Sequence, residues 1–146
     1  MSYIKQKQIR GNFILECPYQ FNYSQEDTYE LIGGTWSDGT CCGFHIDGAS
    51  MSYIGNESIV CLVNGTSDLS IDIATTIYYG LFINDELVGE TEHTFTSPSK
   101  TSNISITRVL EVNPGDYLNV YTKSLNASAN IDIKSLSLTF WGNKNK

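Results

Sequence analysis

The sequence consists almost entirely of short apolar runs separated by turn residues. No window of a dozen residues has apolar positions at the i, i+3, i+4 and i+7 spacing of an amphipathic helix. Instead, most runs are 5 to 8 residues long, alternate between apolar and polar side chains, and end at Gly, Asn, Asp or Pro. We interpret SIVCLVNG and DLSIDIATTIYYGLFIND as separate strands of this kind. The pattern predicts an all-β, antiparallel sandwich or barrel.

The stretch ITRVLEVNPGDYLNVYTKS, residues 106–124, predicts one β-hairpin of this fold. Ile106, Leu110 and Val112 share one face of its first strand, because strand side chains point to opposite faces in turn. Residues 113–116 combine Asn, Pro, Gly and Asp, which are the residues that turns favour. One face of the hairpin is therefore predicted to be core, and the other to be solvated or an interface.

The last predicted strand changes its alternation part of the way along. Ile131 and Ile133 occupy odd positions, whereas Leu136 and Leu138 occupy even positions. A β-bulge sets two residues against one and so returns the apolar parity to the core. We therefore expect a bulge near Lys134.

The stretch YYGLFINDELVG predicts a second hairpin, with its turn at residues 84–85. Tyr79 and Leu81 lie on one face of its first strand, and Tyr78 and Phe82 lie on the other. Both faces are apolar. Because a strand of an antiparallel sheet with two apolar faces needs a second covering surface, we expect another subunit to cover one of them.

Charge is distributed unevenly along the 146 residues. The ends carry five basic residues and no acid, namely Lys5, Lys7, Arg10, Lys144 and Lys146. The remainder has 4 basic and 16 acidic residues, which gives it a net charge of −12. Such an acidic body repels phosphate, so we predict that the protein does not bind nucleic acid.

The length fits one domain with a well-buried core. We predict a basic attachment segment at residues 1–10 and a single domain at residues 11–146. No apolar run has the length of a secretory leader, and none approaches the roughly 20 apolar residues of a membrane span. The expectation is a protein made in the cytoplasm and not inserted into a membrane.

The sequence contains little that predicts catalysis or metal binding. Cys41 and Cys42 stand near His45, but no second CxxC or HxxxH accompanies them, so we predict no metal site. Cys17 and Cys61 lie in apolar runs, where cysteine acts as a small hydrophobic residue. Asp residues adjoin turn signals, and phosphate loops, nucleophile elbows and dinucleotide fingerprints are missing. We expect neither an enzyme nor a cofactor.

Trp36 is the most distinctive candidate for ligand binding. It lies in the polar, glycine-rich stretch GGTWSDGT, where an exposed indole could stack on a sugar ring or anchor a protein partner. Asp38 could accept hydrogen bonds from ligand hydroxyls. The alternative is that Trp36 folds back and plugs one end of the sandwich.

The second half of the chain resembles the jelly roll of tumour-necrosis-factor-like proteins and complement globular heads. The residues that carry the resemblance are Val109, Leu110, Val112, Gly115, Asp116, Leu118 and Val120, followed by Ser135, Leu136, Ser137 and Leu138. The resemblance implies a homotrimer whose subunits pack through aromatic strand faces, with both termini at one end. The corresponding interface candidates are Tyr78, Tyr79, Phe82, Tyr117, Tyr121 and Phe140.

Heads of this kind occur on bacteriophage fibres and baseplates and on bacterial spore filaments. We therefore predict a non-enzymatic virion protein of a tailed phage, a fibre or decoration head, assembled in the host bacterial cytoplasm. Lys5, Lys7 and Arg10 would dock it onto other virion proteins, and its loops would attach to a glycan or protein of the host surface. The alternatives are a carbohydrate-active enzyme or its sugar-binding accessory module, and the head of a bacterial surface or spore filament.

Overall fold

The computed structural model describes residues 8–38 and 43–144, which form two antiparallel β-sheets packed face to face. These ranges contain no helix. Their twelve strands are β1 (Gln8–Leu15), β2 (Tyr19–Asn22), β3 (Glu30–Leu31), β4 (Trp36–Ser37), β5 (Phe44–Asp47), β6 (Ser50–Tyr53), β7 (Ile59–Ile71), β8 (Thr75–Ile83), β9 (Glu86–Phe95), β10 (Ser99–Val112), β11 (Tyr117–Ser124) and β12 (Asn130–Lys144).

Each sheet has six strands. The front sheet has the order β10-β7-β12-β1-β4, with β2 also paired to β12. The back sheet has the order β5-β6-β11-β8-β9, with β3 also paired to β11. This arrangement confirms the predicted all-β, antiparallel sandwich.

The core lies between the two sheets and follows the predicted alternation. Ile104, Ile106, Leu110 and Val112 of β10 are all buried, whereas Val109 is 69% exposed on the outer face. The largest fully buried side chains come from both sheets; they include Tyr53, Tyr79, Phe13, Phe140, Met51 and Leu118. The two inner faces together therefore form one hydrophobic core.

The predicted bulge in the last strand is confirmed. The pairing of β12 with β7 shifts register between Ile133 and Ser135. Ile131 and Ile133 before the shift and Leu136 and Leu138 after it are all buried. The extra residue keeps the apolar side of β12 on the core along the whole strand.

The interpretation of SIVCLVNG and the run that begins at Asp68 as separate strands is wrong, because β7 continues from Ile59 to Ile71 without interruption. A Cβ atom on Gly65 would lie 2.3 Å from Cδ2 of Leu138 and 3.2 Å from the Ser137 carbonyl oxygen. This glycine therefore permits a close approach between β7 and β12 and does not mark a turn.

The turn at residues 84–85 is confirmed and is tied to the neighbouring hairpin. Asn84 and Asp85 have φ angles of 51° and 68°, the left-handed values of a tight two-residue hairpin turn. The Asn84 side chain donates to Oδ1 of Asp116 at 2.8 Å and accepts from the Tyr117 amide at 3.1 Å. Oδ2 of Asp116 accepts from the Asn113 amide at 2.8 Å, so the two turns brace each other.

We expect Asn84→Gly to lower the free energy of unfolding by about 1–2 kcal/mol, because the left-handed backbone is retained and two side-chain hydrogen bonds are lost. Asn84→Ala should cost about 1 kcal/mol more, since alanine is strained at positive φ. Urea denaturation of both variants at one protein concentration measures the difference. Equal losses in the two variants would contradict the strained turn.

No helix able to cross a membrane is present among the residues described.

Candidate functional site

The structure places Trp36 in the core, so the prediction of an exposed ligand-binding indole is wrong. Only 5% of the residue is exposed, and its ring stacks on Phe13 with centroids 4.1 Å apart. Its Nε1 donates to the carbonyl oxygen of Ile32 at 3.0 Å. The cause is the pairing of β4 with β1, which sets Trp36 opposite Leu15 and turns the indole inward. Asp38 is exposed at the end of the first described range, and the buried Trp36 ring cannot join it in an exposed ligand site.

Two of the six interface candidates also face the core. Tyr79 and Phe140 are completely buried within a single chain. The Tyr79 hydroxyl lies 2.9 Å from Oγ of Ser67, and the Phe140 ring lies 5.6 Å from that of Phe44. Alternation along β8 and β12 directs both side chains between the sheets. Neither residue can contact another subunit, and their assignment to an interface is corrected accordingly.

The other four candidates lie on the outer face of the back sheet and are half-buried there; they are Tyr78, Phe82, Tyr117 and Tyr121. Phe82 packs against Tyr121 at 4.2 Å between centroids and meets Tyr29 edge-on at 5.3 Å. Gly80 makes room for these rings, since a Cβ atom there would lie 2.7 Å from Tyr29. The sequence pattern does not indicate Tyr29, because this residue follows a turn and is brought to the face by the long-range pairing of β3 with β11.

Charged side chains surround these rings. The Tyr29 hydroxyl donates to Glu90, and the Tyr117 hydroxyl donates to Oδ2 of Asp85 at 2.7 Å. The latter hydrogen bond raises the pKa of Tyr117, because ionisation would set two negative charges side by side. The ammonium group of Lys123 lies 4.8 Å from the centre of the Tyr29 ring. The chain's own polar groups therefore satisfy and partly cover this aromatic surface.

The outer face of the front sheet carries a more exposed apolar surface. Val109 of β10, Leu62 of β7 and Trp141 of β12 lie directly opposite one another on neighbouring strands. Their exposed fractions are 69%, 41% and 41%, and nearby Val60 is 40% exposed. We call these four residues the apolar row. The guanidinium carbon of Arg10 lies 4.3 Å from the centre of the Trp141 ring and extends the row onto β1.

The sequence contains a local signal for the apolar row. Residues 59–63 are five consecutive apolar side chains, which a strand divides between its two faces. Ile59, Cys61 and Val63 are buried, and Val60 and Leu62 are left on the outer face. A continuous apolar run within an alternating sequence therefore indicated a second contact face.

The two ends of the described chain lie side by side. β1 pairs with β12 so that Gln8 is opposite Asn143, at the same end of the front sheet. Because β1 begins at Gln8, Arg10 is part of the sheet, and the boundary predicted at residue 10 falls inside a strand. Lys5 and Lys7 lie outside the described residues.

The described residues contain no group of three or more His, Cys, Asp or Glu side chains arranged to hold a metal ion. Cys61 is completely buried, and burial raises the pKa of its thiol to about 11. Cys17 is half-buried, and burial raises its pKa as well. Both are therefore poor nucleophiles at neutral pH. Cys41 and Cys42 lie outside the described residues.

No protein-family model matches the sequence, and no curated protein sequence matches it significantly. Solved structures match the fold. Murine APRIL superposes with a TM-score of 0.64 at 13% identity, covering 92% of this chain and 98% of APRIL. Eiger TNF from S. frugiperda gives 0.64 at 15% identity, covering 95% and 93%. The globular domain of zebrafish complement 1qA gives 0.54 at 12% identity, covering 96% and 98%.

These matches extend over nearly the whole chain, including the first half, for which the sequence showed no resemblance. The chain has the jelly-roll fold of tumour-necrosis-factor-like proteins and complement globular heads, as its sequence predicted. At 10–15% identity the likeness concerns the fold. Function must be argued from the surfaces of this chain.

Proposed function

We propose that this protein is a non-enzymatic structural and binding protein that acts as a homotrimer. We further propose that it is a virion component of a tailed bacteriophage, a fibre or decoration head that docks on the particle by its basic ends. The fold supports the trimer through the resemblance to tumour-necrosis-factor-like proteins. The virion role rests on the use of such heads at the tips and surfaces of phage particles and on the arrangement of the chain ends.

The apolar row is the observation that carries this proposal. Thr66 and Asn64, which share its face of β7, are polar, so the row stands out from the outer face around it. Apolar side chains exposed as a group favour association, since removing them from water contributes about 25 cal/mol per Å². We assign the occupant of this surface as a second copy of the chain. Closed cyclic symmetry then completes the trimer that the fold resemblance implies.

The aromatic face of the back sheet is the alternative contact surface. Tyr78, Phe82, Tyr117 and Tyr121 remain interface candidates. They rank below the apolar row because each ring is half-buried by its own chain, and the Tyr117 hydroxyl is already bonded to Asp85.

Light scattering of the full-length protein tests the trimer. The expected mass is about 49 kDa, three times the 16.2 kDa of one chain. A mass of one chain at micromolar concentration would contradict the proposed assembly.

The basic ends support docking by one end of the molecule. The pairing of β1 with β12 sets Gln8 opposite Asn143. The five basic residues that lie near these positions in the sequence become fifteen in a trimer. Residues 11–143 carry a net charge of −12 per chain. An acidic surface on the particle would attract this end of the trimer and repel the rest.

Deletion of residues 1–7 tests the docking role and leaves β1 intact. We expect the shortened protein to remain a trimer in light scattering and to lose at least tenfold in copy number on purified particles. Lys134→Gln, which removes one basic charge from the strand far from the chain ends, is the control and should incorporate normally. Full incorporation of the shortened protein would show that residues 1–7 do not attach it.

A further inference from the structure

The front sheet has a polar pocket of about 490 Å³ at the end away from the chain ends. It is formed where β2, β7 and β12 lie side by side. Its lining residues are Gln20, Asn22, Ser70, Ile71, Asp72, Asn130, Ile131 and Asp132. The volume lies within the range of pockets that bind small ligands.

Strand register explains why the lining is polar. Asp132 is paired with Gln20 on one side and with Ser70 on the other, which makes one row of three polar side chains. Asn130 is paired with Asn22 in the next row of the same face, and its backbone amide donates to Asp72, the residue directly after β7. The alternate residues of these strands, such as Ile131 and Ile71, point into the core. The pocket floor is therefore an array of polar side chains fixed on three strands.

Both carboxylate oxygens of Asp72 accept hydrogen bonds. Oδ1 of Asp72 accepts from the Asn130 amide and Oδ2 accepts from Nδ2 of the same residue, both at 2.8 Å. The hydrogen bond from the backbone amide is the main reason why the pKa of Asp72 is lowered. Asp72 is thus a fixed anion that orients Asn130.

The other carboxylate has one oxygen without a partner. Oδ2 of Asp132 is bonded to the ammonium group of Lys134. Oδ1 is shielded from solvent and accepts no hydrogen bond from any described residue. A shielded acceptor of this kind is unfavourable until a donor reaches it.

Three further polar side chains in the pocket are available to a ligand. Those of Gln20, Asn22 and Ser70 make no hydrogen bond within the described residues. Two amides and a hydroxyl supply both donors and acceptors, beside the acceptor of Asp132. Such a mixed set is complementary to hydroxyl groups, each of which donates and accepts.

We propose that this pocket binds a neutral, hydroxyl-rich ligand, a glycan of the host surface. The inference rests on the proposed attachment function and moves its ligand site from Trp36 and Asp38 to the front sheet. The pocket region has two carboxylates, those of Asp72 and Asp132, and one ammonium group, that of Lys134, and this excess of negative charge disfavours an anionic ligand. The amides and hydroxyl favour an uncharged one over a metal ion, for which the described residues supply too few anionic ligands.

The position of the pocket fits this role. Asp132 and Trp141 are nine residues apart on β12, which is about 30 Å at the rise of a strand. A subunit contact centred on the apolar row would therefore not cover the pocket. The pocket also lies at the end opposite the basic ends, and three copies per trimer would raise the avidity for a surface glycan.

The test is a titration of the full-length protein with neutral disaccharides, namely maltose, lactose, cellobiose and chitobiose, followed by amide NMR spectra. We expect saturable shifts of residues 70–72 and 130–132 with one or more of these probes, at a dissociation constant of the order of 1 mM. The double variant Gln20→Ala, Asn22→Ala should weaken that binding at least tenfold, and Asp132→Asn should weaken it as well. Thr66→Ala, on the same face of β7 outside the pocket, should bind normally.

Shifts that do not saturate, or saturable binding that the Gln20→Ala, Asn22→Ala variant retains, would overturn the pocket as a glycan site. Saturable binding of inorganic phosphate at these residues would overturn the neutral ligand class. Light scattering on the same samples separates this inference from the proposed assembly. A trimer without sugar shifts contradicts the pocket alone, and a monomer with pocket-specific shifts contradicts the trimer alone.

Discussion

Replacing Trp36 with alanine is expected to lower the free energy of unfolding by about 3–5 kcal/mol, the usual cost of removing a large aromatic side chain from a core. The ring stacks on Phe13 and its Nε1–H bonds to the carbonyl oxygen of Ile32. Alanine leaves a cavity against Phe13 and an unpaired carbonyl at Ile32. Urea denaturation at a fixed protein concentration measures the loss.

Trp36→Phe is the matched variant, because it keeps an aromatic ring against Phe13 and removes the donor to Ile32. We expect it to cost about 1–2 kcal/mol, the range for one buried hydrogen bond and a small void. Trp141→Phe changes the other tryptophan, which is 41% exposed, and should alter stability by less than Trp36→Phe. A loss below about 1 kcal/mol in Trp36→Ala would contradict a buried, stacked indole.

The fold could be predicted from sequence because its signals are local. Alternation along a strand is a property of neighbouring residues, and so is the phase change between Ile133 and Leu136 that located the bulge. The turn at residues 84–85 needs two left-handed residues, which Asn and Asp tolerate. Each of these features was readable within about ten residues of the chain.

The functional surfaces depend on pairings between distant residues. Trp36 lies in a polar stretch, and only the pairing of β4 with β1, which sets it opposite Leu15, turns it inward. The pocket assembles Gln20, Ser70 and Asp132 from three separated strands. No local pattern links such residues, and for this reason the sequence did not indicate the pocket and predicted an exposed Trp36 that the structure buries.

The apolar row could be predicted only in part from the sequence. The run of residues 59–63 indicated two apolar faces on one strand. Its cross-strand neighbours, Val109 and Trp141, could be identified only from the register of β7 with β10 and β12. The contact face that we propose therefore lies on the front sheet, whereas the sequence favoured the aromatic strand β8.

Leu62→Asp is expected to convert the proposed trimer into monomers. Leu62 lies between Val109 and Trp141 at the centre of the apolar row and is 41% exposed in the single chain. The carboxylate stays hydrated in the monomer, but the assembled trimer would bury it without a partner, and threefold symmetry repeats this cost in every contact. Light scattering at micromolar concentration should report one chain, and the circular dichroism spectrum should remain that of a β-sandwich.

Leu87→Asp is the matched control for this experiment. Leu87 is 44% exposed and faces outward beside Phe82 on the back sheet, so the same substitution places the same charge in an equally exposed position on the alternative contact face. Because neither leucine belongs to the core, a difference in mass between the variants reports the contact and not the fold. We expect Leu87→Asp to remain a trimer. The opposite pattern, with Leu87→Asp monomeric and Leu62→Asp trimeric, would assign the contact to the aromatic face of Tyr78, Phe82 and Tyr121.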